Sequence, residues 1–387
     1  MTAVYPYVVP LETVLDVEDE YKPMSEPVSL FVTSVNNHEK KLEGIAVDDE
    51  VVPECKMTLG EFLRPLLTSM KLFGLHFSRR SEDASGVFDE KSRKWNTYIV
   101  YAATIVALLW INVLRMFSAF THEDEFGLDL FYKLITVIWS IQCAISQTAF
   151  YAISFSGRLE VVFRQQLDCS CAKHARKSAI IYSTIGWSMM MSSSAMVAYA
   201  LFFTGGVKDS MLAPLQSYII ISDPLIPRII VYFFNFYLLS ACIFTQMVTF
   251  VLAMVFSHQF KKVTKSLESC LKNQQRQVSD CDIETFRQKH QEISMRVDHV
   301  DDCLMFSNAS AFCCQLSCLI ILLYMLIFYH SLVIDPVLIT SQIFLMFLFT
   351  VGLTLMAAGG ITVHHYVSVT YMLFCITFAK KLYLPHI

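Results

Sequence analysis

The sequence predicts an all-α membrane protein: seven transmembrane helices, a cytosolic N-terminus, and cytosolic extensions of helices four and five. Three observations predict it. Hydrophobic residues make up 55% of the 387 residues and charged ones only 17%, too little charge to cover a soluble surface of this size. After Trp95 the apolar residues fall into runs of about 20, the length a helix needs to cross a ~30 Å hydrocarbon core. Lysine and arginine alternate from loop to loop in a way that fixes orientation. The net charge of −4 says little about partners, because the charges sit in separate compartments.

Residues 1–58 are polar and punctuated by proline, which predicts a flexible cytosolic tail. Its start, "MTAVYPYVVPLETVLDVEDEY", has no basic n-region and is not a signal peptide. Residues 59–95 form a cytosolic segment whose first part, "LGEFLRPLLTSMKLFGLHFSRR", is amphipathic and is expected to lie on the inner membrane face. The membrane domain, 96–380, divides into spans at about 98–117, 129–154, 178–204, 228–256, 304–330, 338–358 and 361–379, with a short tail at 381–387. No span contains proline, so unkinked helices are expected.

Arg79, Arg80, Lys91, Arg93 and Lys94 precede the first span. The first and fifth loops, "SAFTHEDEFGL" and "SLVIDPV", have no basic residue, and the third has Lys208 with Arg228 at its edge. The second carries Arg158, Arg164, Lys173, Arg176 and Lys177, and the fourth runs from Lys261 to Arg296 with many more. The N-terminus and the second and fourth loops are therefore cytosolic, the reverse of a G-protein-coupled receptor. Lys380 and Lys381 conflict with this map, since seven spans put them outside.

The fourth loop, 257–303, reads as two helices that prolong spans four and five. Phe260, Val263 and Leu267, then Ile283, Phe286, Ile293, Val297, Val300 and Leu304, recur mostly three to four apart. Such helices pack on each other or form a subunit interface. None of the twelve cysteines lies in an outer loop, so unpaired thiols are expected. "NAS" at Asn308 is a glycosylation sequon placed at the cytosolic mouth of span five.

No enzyme is expected: phosphate-cradling loops, a nucleophile elbow and paired helix histidines are missing from the sequence. No metal site or cofactor is expected either, because "CSC" has no Cys or His pair at zinc spacing. His364 and His365 are adjacent and diverge on a helix, which fits snorkelling at a span's end. Acids are absent from the span centres, against an ion-coupled transporter.

The spans do carry uncharged polar and aromatic side chains. Trp139, Gln142, Trp187, Tyr199, Tyr232 and Asn235 are candidates for an outward-facing ligand pocket; Gln147, Tyr237 and Gln246 are of the same kind. Each singly is more simply interhelical glue, worth roughly 0.6–2 kcal/mol.

Three stretches together resemble the insect gustatory receptor superfamily and its nematode relatives. "LRPLLTSMKLFGL", 63–75, resembles that family's segment ahead of span one, and "HQEISMRVDHVDDCLMFSNAS" its long helix into span five. The family signature Thr-Tyr, five mostly apolar residues, Gln-Phe reads here Thr370-Tyr371, "MLFCI", Thr377-Phe378, with threonine for glutamine. The resemblance spans residue 60 to the end. It implies a chemosensory receptor in the plasma membrane, a homo- or hetero-tetramer around a central pore that a small-molecule ligand opens to cations without selectivity. No nucleic-acid partner is expected. In that family the seventh helices line the pore, which would make Thr370, Tyr371, Met372, Leu373, Ile376, Thr377 and Phe378 the pore and gate residues. A substantial cytosolic segment between spans six and seven anchors the family's tetramer, yet Ala358 to Ile361 leaves almost no room for one. The alternative is a seven-span receptor that signals through G proteins.

Overall fold

Each helix of the computed structural model follows from local sequence, but two of them run differently from the sequence expectation. The structure describes residues 58–77, 97–117, 120, 127–164, 166, 169–202, 225–272, 280–329 and 336–383, all within one unit, Glu54–Ile387. Residues 1–57 of the predicted tail, residues 78–96 before the first span, residues 273–279 of the fourth loop and residues 384–387 lie outside them.

A short helix α1 (Leu59–Phe62) starts where the Thr58 N–H donates to Glu61 Oε2 at 2.8 Å, one half of a capping box. Helix α2 (Arg64–Leu72) follows, with Pro65 in its first turn, where the missing N–H costs nothing. Gly74 ends it at φ 68°, a left-handed conformation glycine adopts freely. A side chain there would also meet Ile105 Cδ1 at 2.8 Å.

The apolar stripe of the segment packs into the protein. Leu59, Leu63, Leu66, Met70, Phe73, Leu75 and Phe77 are buried in the protein core. Ser69 accepts a 2.9 Å hydrogen bond from Trp187 Nε1, and Gln147 Nε2 donates to the Phe73 carbonyl at 3.2 Å. An apolar stripe suits a protein groove as well as a lipid surface, and here the following helices supply the groove.

His76 is buried at the end of this segment, edge-on to Phe163 at 5.6 Å. Burial, with help from Lys71, lowers its pKa from 6.5 to about 4. The unfolded chain therefore binds a proton below pH 6.5 that the folded protein refuses until about pH 4. Stability is full above pH 6.5 and falls toward pH 4, by roughly 3 kcal/mol at most. Thermal melts across this window should lose most of that slope in His76→Phe.

The long helices follow. They are α3 (Thr97–Phe117), α4 (Leu128–Ser156), α6 (Cys169–Phe202), α7 (Leu225–Lys272), α8 (Asp280–Phe328) and α9 (Pro336–Tyr383); the short α5 (Arg158–Phe163) sits after Gly157. Of the described helices, α3, α4, α7, α8 and α9 are long and apolar enough to cross a bilayer. Helix α6 is long enough, but Ser183, Ser188, Ser192, Ser193 and Ser194 dilute its hydropathy.

The largest departure is α9. The stretches read as spans 338–358 and 361–379 are one unbroken 48-residue helix. At 1.5 Å per residue it is about 72 Å long, more than twice the hydrocarbon thickness. The Gly359-Gly360 pair does not break it. A side chain on Gly359 would stand 3.2 Å from Ala253 Cβ, so the glycine lets α9 press against α7. Farther along, Thr370 Oγ1 and Thr264 Oγ1 share a hydrogen bond of 2.6 Å, and Lys261 Nζ sits 5.8 Å over the Tyr366 ring. The end of α9 thus runs beside the charged end of α7. On the other side of that end, His258 stacks on His174 of α6 at 4.4 Å; burial, then the His174 ring and Lys261, Lys262 and Lys265, depress the His258 pKa.

Candidate functional site

Four helices bring buried polar groups together at mid-bundle. The Cys242 thiol of α7 accepts from Gln142 Nε2 of α4 and Gln246 Nε2 of α7, each at 3.6 Å, and from Gln315 Nε2 of α8 at 3.8 Å. Gly352 of α9 closes the fourth side: a Cβ there would be 2.7 Å from Gln246 Oε1 and 2.8 Å from Gln315 Oε1. Gln142, Gln315 and Cys242 are all fully buried. Among the described residues Gln142 Oε1 and Gln315 Oε1 have no hydrogen-bond partner, and the Trp139 side chain also approaches the Cys242 sulfur. Unmet amide groups in an apolar interior cost on the order of 1–3 kcal/mol each, so this cluster is poised to take a polar group. A void of about 10 Å³ beside Cys242, Gln246 and Gly352 matches a single water. Larger guests need the helices to part.

The sequence candidates divide around this cluster. Trp139 and Gln142 belong to it. Trp187 instead holds α2 through Ser69 and packs on Phe73 and Phe244. Tyr232 packs against a separate cluster of Met116, Val137, Leu201 and Val231. Asn235 Nδ2 donates to its own helix at the Val231 carbonyl, 3.0 Å away. Tyr199 is exposed on α6. One pocket lined by all six is therefore not formed. Gln315 and Gly352 were missed. A glutamine inside an apolar run was the available signal for Gln315; Gly352 carried none.

The pore candidates fall on the far half of α9. Thr370 is fully buried against α7. Tyr371 and Met372 are exposed and Leu373 is half-buried. The side chains of Ile376, Thr377 and Phe378 lie outside the described residues. Phe374 meets the His290 ring of α8 edge-on at 5.7 Å. Thr370 thus faces a helix contact inside the protomer.

A second concavity, about 580 Å³, lies between α7, α8 and α9, within the size range of small-ligand sites. Asn308, the sequon residue, is on its wall and accepts from Thr249 Oγ1 at 3.2 Å.

No protein-family model matches this chain, and no curated protein matches it. A solved structure does: the insect olfactory receptor OR5 from Machilis hrabei is similar with a TM-score of 0.56 and 13% identity, over 82% of this chain and 88% of that one. The likeness runs through most of both chains, and it establishes that this chain has the fold of that receptor.

Proposed function

We propose that the protein is a chemosensory receptor: a multi-pass plasma-membrane subunit of a tetrameric, non-selective cation channel opened by a small molecule. The observation that carries the reading is the fold shared with an insect olfactory receptor across most of both chains. The resemblance of residues 63–75 and of the helix leading into span five to gustatory receptors points the same way.

In this reading the N-terminus and the charged ends of α7 and α8 are cytosolic. Thr370 touches Thr264, so residues 361–383 belong on the cytosolic side with them. Lys380 and Lys381 then obey the charge rule that a seventh outward span violates. Six helices cross: α3, α4, α6, α7, α8 and α9. The far half of α9 is then the cytosolic anchor that the resemblance implies, and the seven pore candidates, which lie between Thr370 and Phe378, are anchor residues in place of a pore lining.

The ligand site we favour is the outer half of the bundle above the Cys242 cluster. A ligand that satisfies Gln142 Oε1 or Gln315 Oε1 better in the open arrangement shifts the population toward opening. Such a ligand is small, mostly apolar and carries a hydrogen-bond donor. No catalytic step and no cofactor are part of this reading.

Current recording in cells expressing the chain, during a compound screen, tests it. A ligand-evoked cation current is expected, with Gln142→Leu raising the half-maximal concentration about tenfold, one good hydrogen bond. A tag at residue 2 should stain only after permeabilisation. A ligand response without current, carried by G proteins, would overturn the channel reading.

A further inference from the structure

The 580 Å³ groove between α7, α8 and α9 straddles a sharp change in chemistry. One end is walled by Phe250, Phe312 and Met356. On α7 no acidic or basic residue occurs from Ile229 to Ser257, and on α8 none from Cys303 to Phe328. That end is therefore at the depth of the hydrocarbon. The other end carries Asp298 and Asp301 on α8, facing His364 and Ser368 on α9. These two aspartates, with Asp302 beside them, are the last charges on α8 before its apolar stretch. They stand where the headgroups of that leaflet begin.

Both carboxylates are exposed, and neither has an ion-pair or hydrogen-bond partner among the described residues. The neighbouring arginines of α8 are taken, Arg296 by Glu292 and Arg287 by Glu284, and Lys261 of α7 lies over the Tyr366 ring. His364 Nδ1 and Ser368 Oγ share a 3.0 Å hydrogen bond on the facing wall; whichever of them donates it, the pair keeps one N–H or O–H to give to a ligand. Gly360 opens the apolar part, since a Cβ there meets nothing within 4 Å. The groove thus offers an acyl-chain slot, two unpaired carboxylates for an ammonium group, and one donor of the His364–Ser368 pair for a phosphate.

We propose that this groove is a specific site for a phospholipid with a primary-ammonium headgroup, phosphatidylethanolamine in type, drawn from the leaflet on the charged side of the bundle. The ammonium sits between Asp298 and Asp301, the phosphate at His364 and Ser368, and one acyl chain lies along Phe256, Phe312 and Gly360. Charge complementarity selects it. An anionic lipid meets two unpaired carboxylates, and a trimethylated headgroup keeps the charge but offers them no N–H. The inference needs the membrane placement of the helices and not the channel activity. It stands or falls separately from the receptor reading.

The test is native mass spectrometry of the full-length protein in detergent, titrated with phosphatidylethanolamine, phosphatidylcholine and phosphatidylglycerol of identical chains. Wild type should retain phosphatidylethanolamine about tenfold more tightly than phosphatidylglycerol, as one or two charge-assisted hydrogen bonds dictate. Asp298→Asn with Asp301→Asn should bring the two within about twofold. Both positions are exposed, so folding is not at stake. Gly360→Leu, whose Cβ would meet nothing within 4 Å, should weaken retention of every lipid. Equal retention of phosphatidylglycerol by wild type, an unchanged preference in the double variant, or full retention in Gly360→Leu would each overturn the proposal. Displacement of the lipid by millimolar ethanolamine alone would identify a water-borne amine as the occupant and overturn the lipid assignment.

Discussion

Phe73→Ala is expected to destabilise the protein by about 3–5 kcal/mol, the usual cost of deleting a well-packed core aromatic. Phe73 is almost fully buried and stacks on Phe244 at 5.4 Å. Trp187 and Phe236 stand at 5.6 Å and Tyr237 at 6.2 Å. It ties the pre-span segment to α6 and α7, while its carbonyl holds Gln147 of α4. Deleting the ring leaves a cavity among aromatic side chains too rigid to close it. Phe73→Leu keeps most of the volume and should cost less than about 1.5 kcal/mol. Thermal unfolding in detergent measures both. A segment resting on the membrane surface would tolerate the alanine with little change.

Gly352→Leu is expected to destabilise by about 2–5 kcal/mol, from overpacking and from unpaired amides together. Even a methyl group at Gly352 comes within 2.8 Å of two glutamine side chains. Those amides are the flexible ends of long side chains and can turn away, so the steric cost of alanine is small. Turning takes them off the Cys242 sulfur, however, and leaves them buried without partners. Gly352→Ala should therefore cost about 1–3 kcal/mol. Gln315→Ala combined with it should cost less than the two changes added, because the second removes the group that the first displaces. Additive losses would show that the amides do not act through Gly352. Surface expression and melting temperature report on both.

Much of the fold could be read from the pattern of apolar residues. Phe260, Val263 and Leu267 recur at helical spacing and are buried where α7 continues to Lys272. The same periodicity could not say whether "LGEFLRPLLTSMKLFGL" meets lipid or protein, since either buries one stripe; Gly74 against Ala102 and Ile105 settles it. The uncharged run after Pro336 is long enough for two spans, and only its pairing partners, Ala253 and Thr264, reveal one helix. The candidate site was half visible. Trp139 and Gln142 stand out as polar groups in an apolar run, but the cluster depends on four helices converging on Cys242. Asn235 and Tyr232 looked the same in sequence and are used elsewhere, one for its own backbone and the other for a separate apolar cluster. The far half of α9 shows the limit most sharply. The stretch that resembles a pore signature is also an ordinary packing face, with Thr370 against Thr264 and Phe374 against His290.

Whether α9 continues beside the charged end of α7 decides the topology, the fate of Lys380 and Lys381, and the role of residues 361–383. The direct measurement is a disulfide between Thr264→Cys and Thr370→Cys in the full-length protein. The two hydroxyls are 2.6 Å apart, close enough for a bridge with little backbone movement. Mild oxidation in membranes should join the peptides containing positions 264 and 370 in high yield, identified by mass spectrometry against the native cysteines. An impermeant maleimide applied to intact cells should leave position 370 unlabelled. No cross-link, together with labelling of position 370 from outside, would restore an outward seventh span and contradict the single long helix.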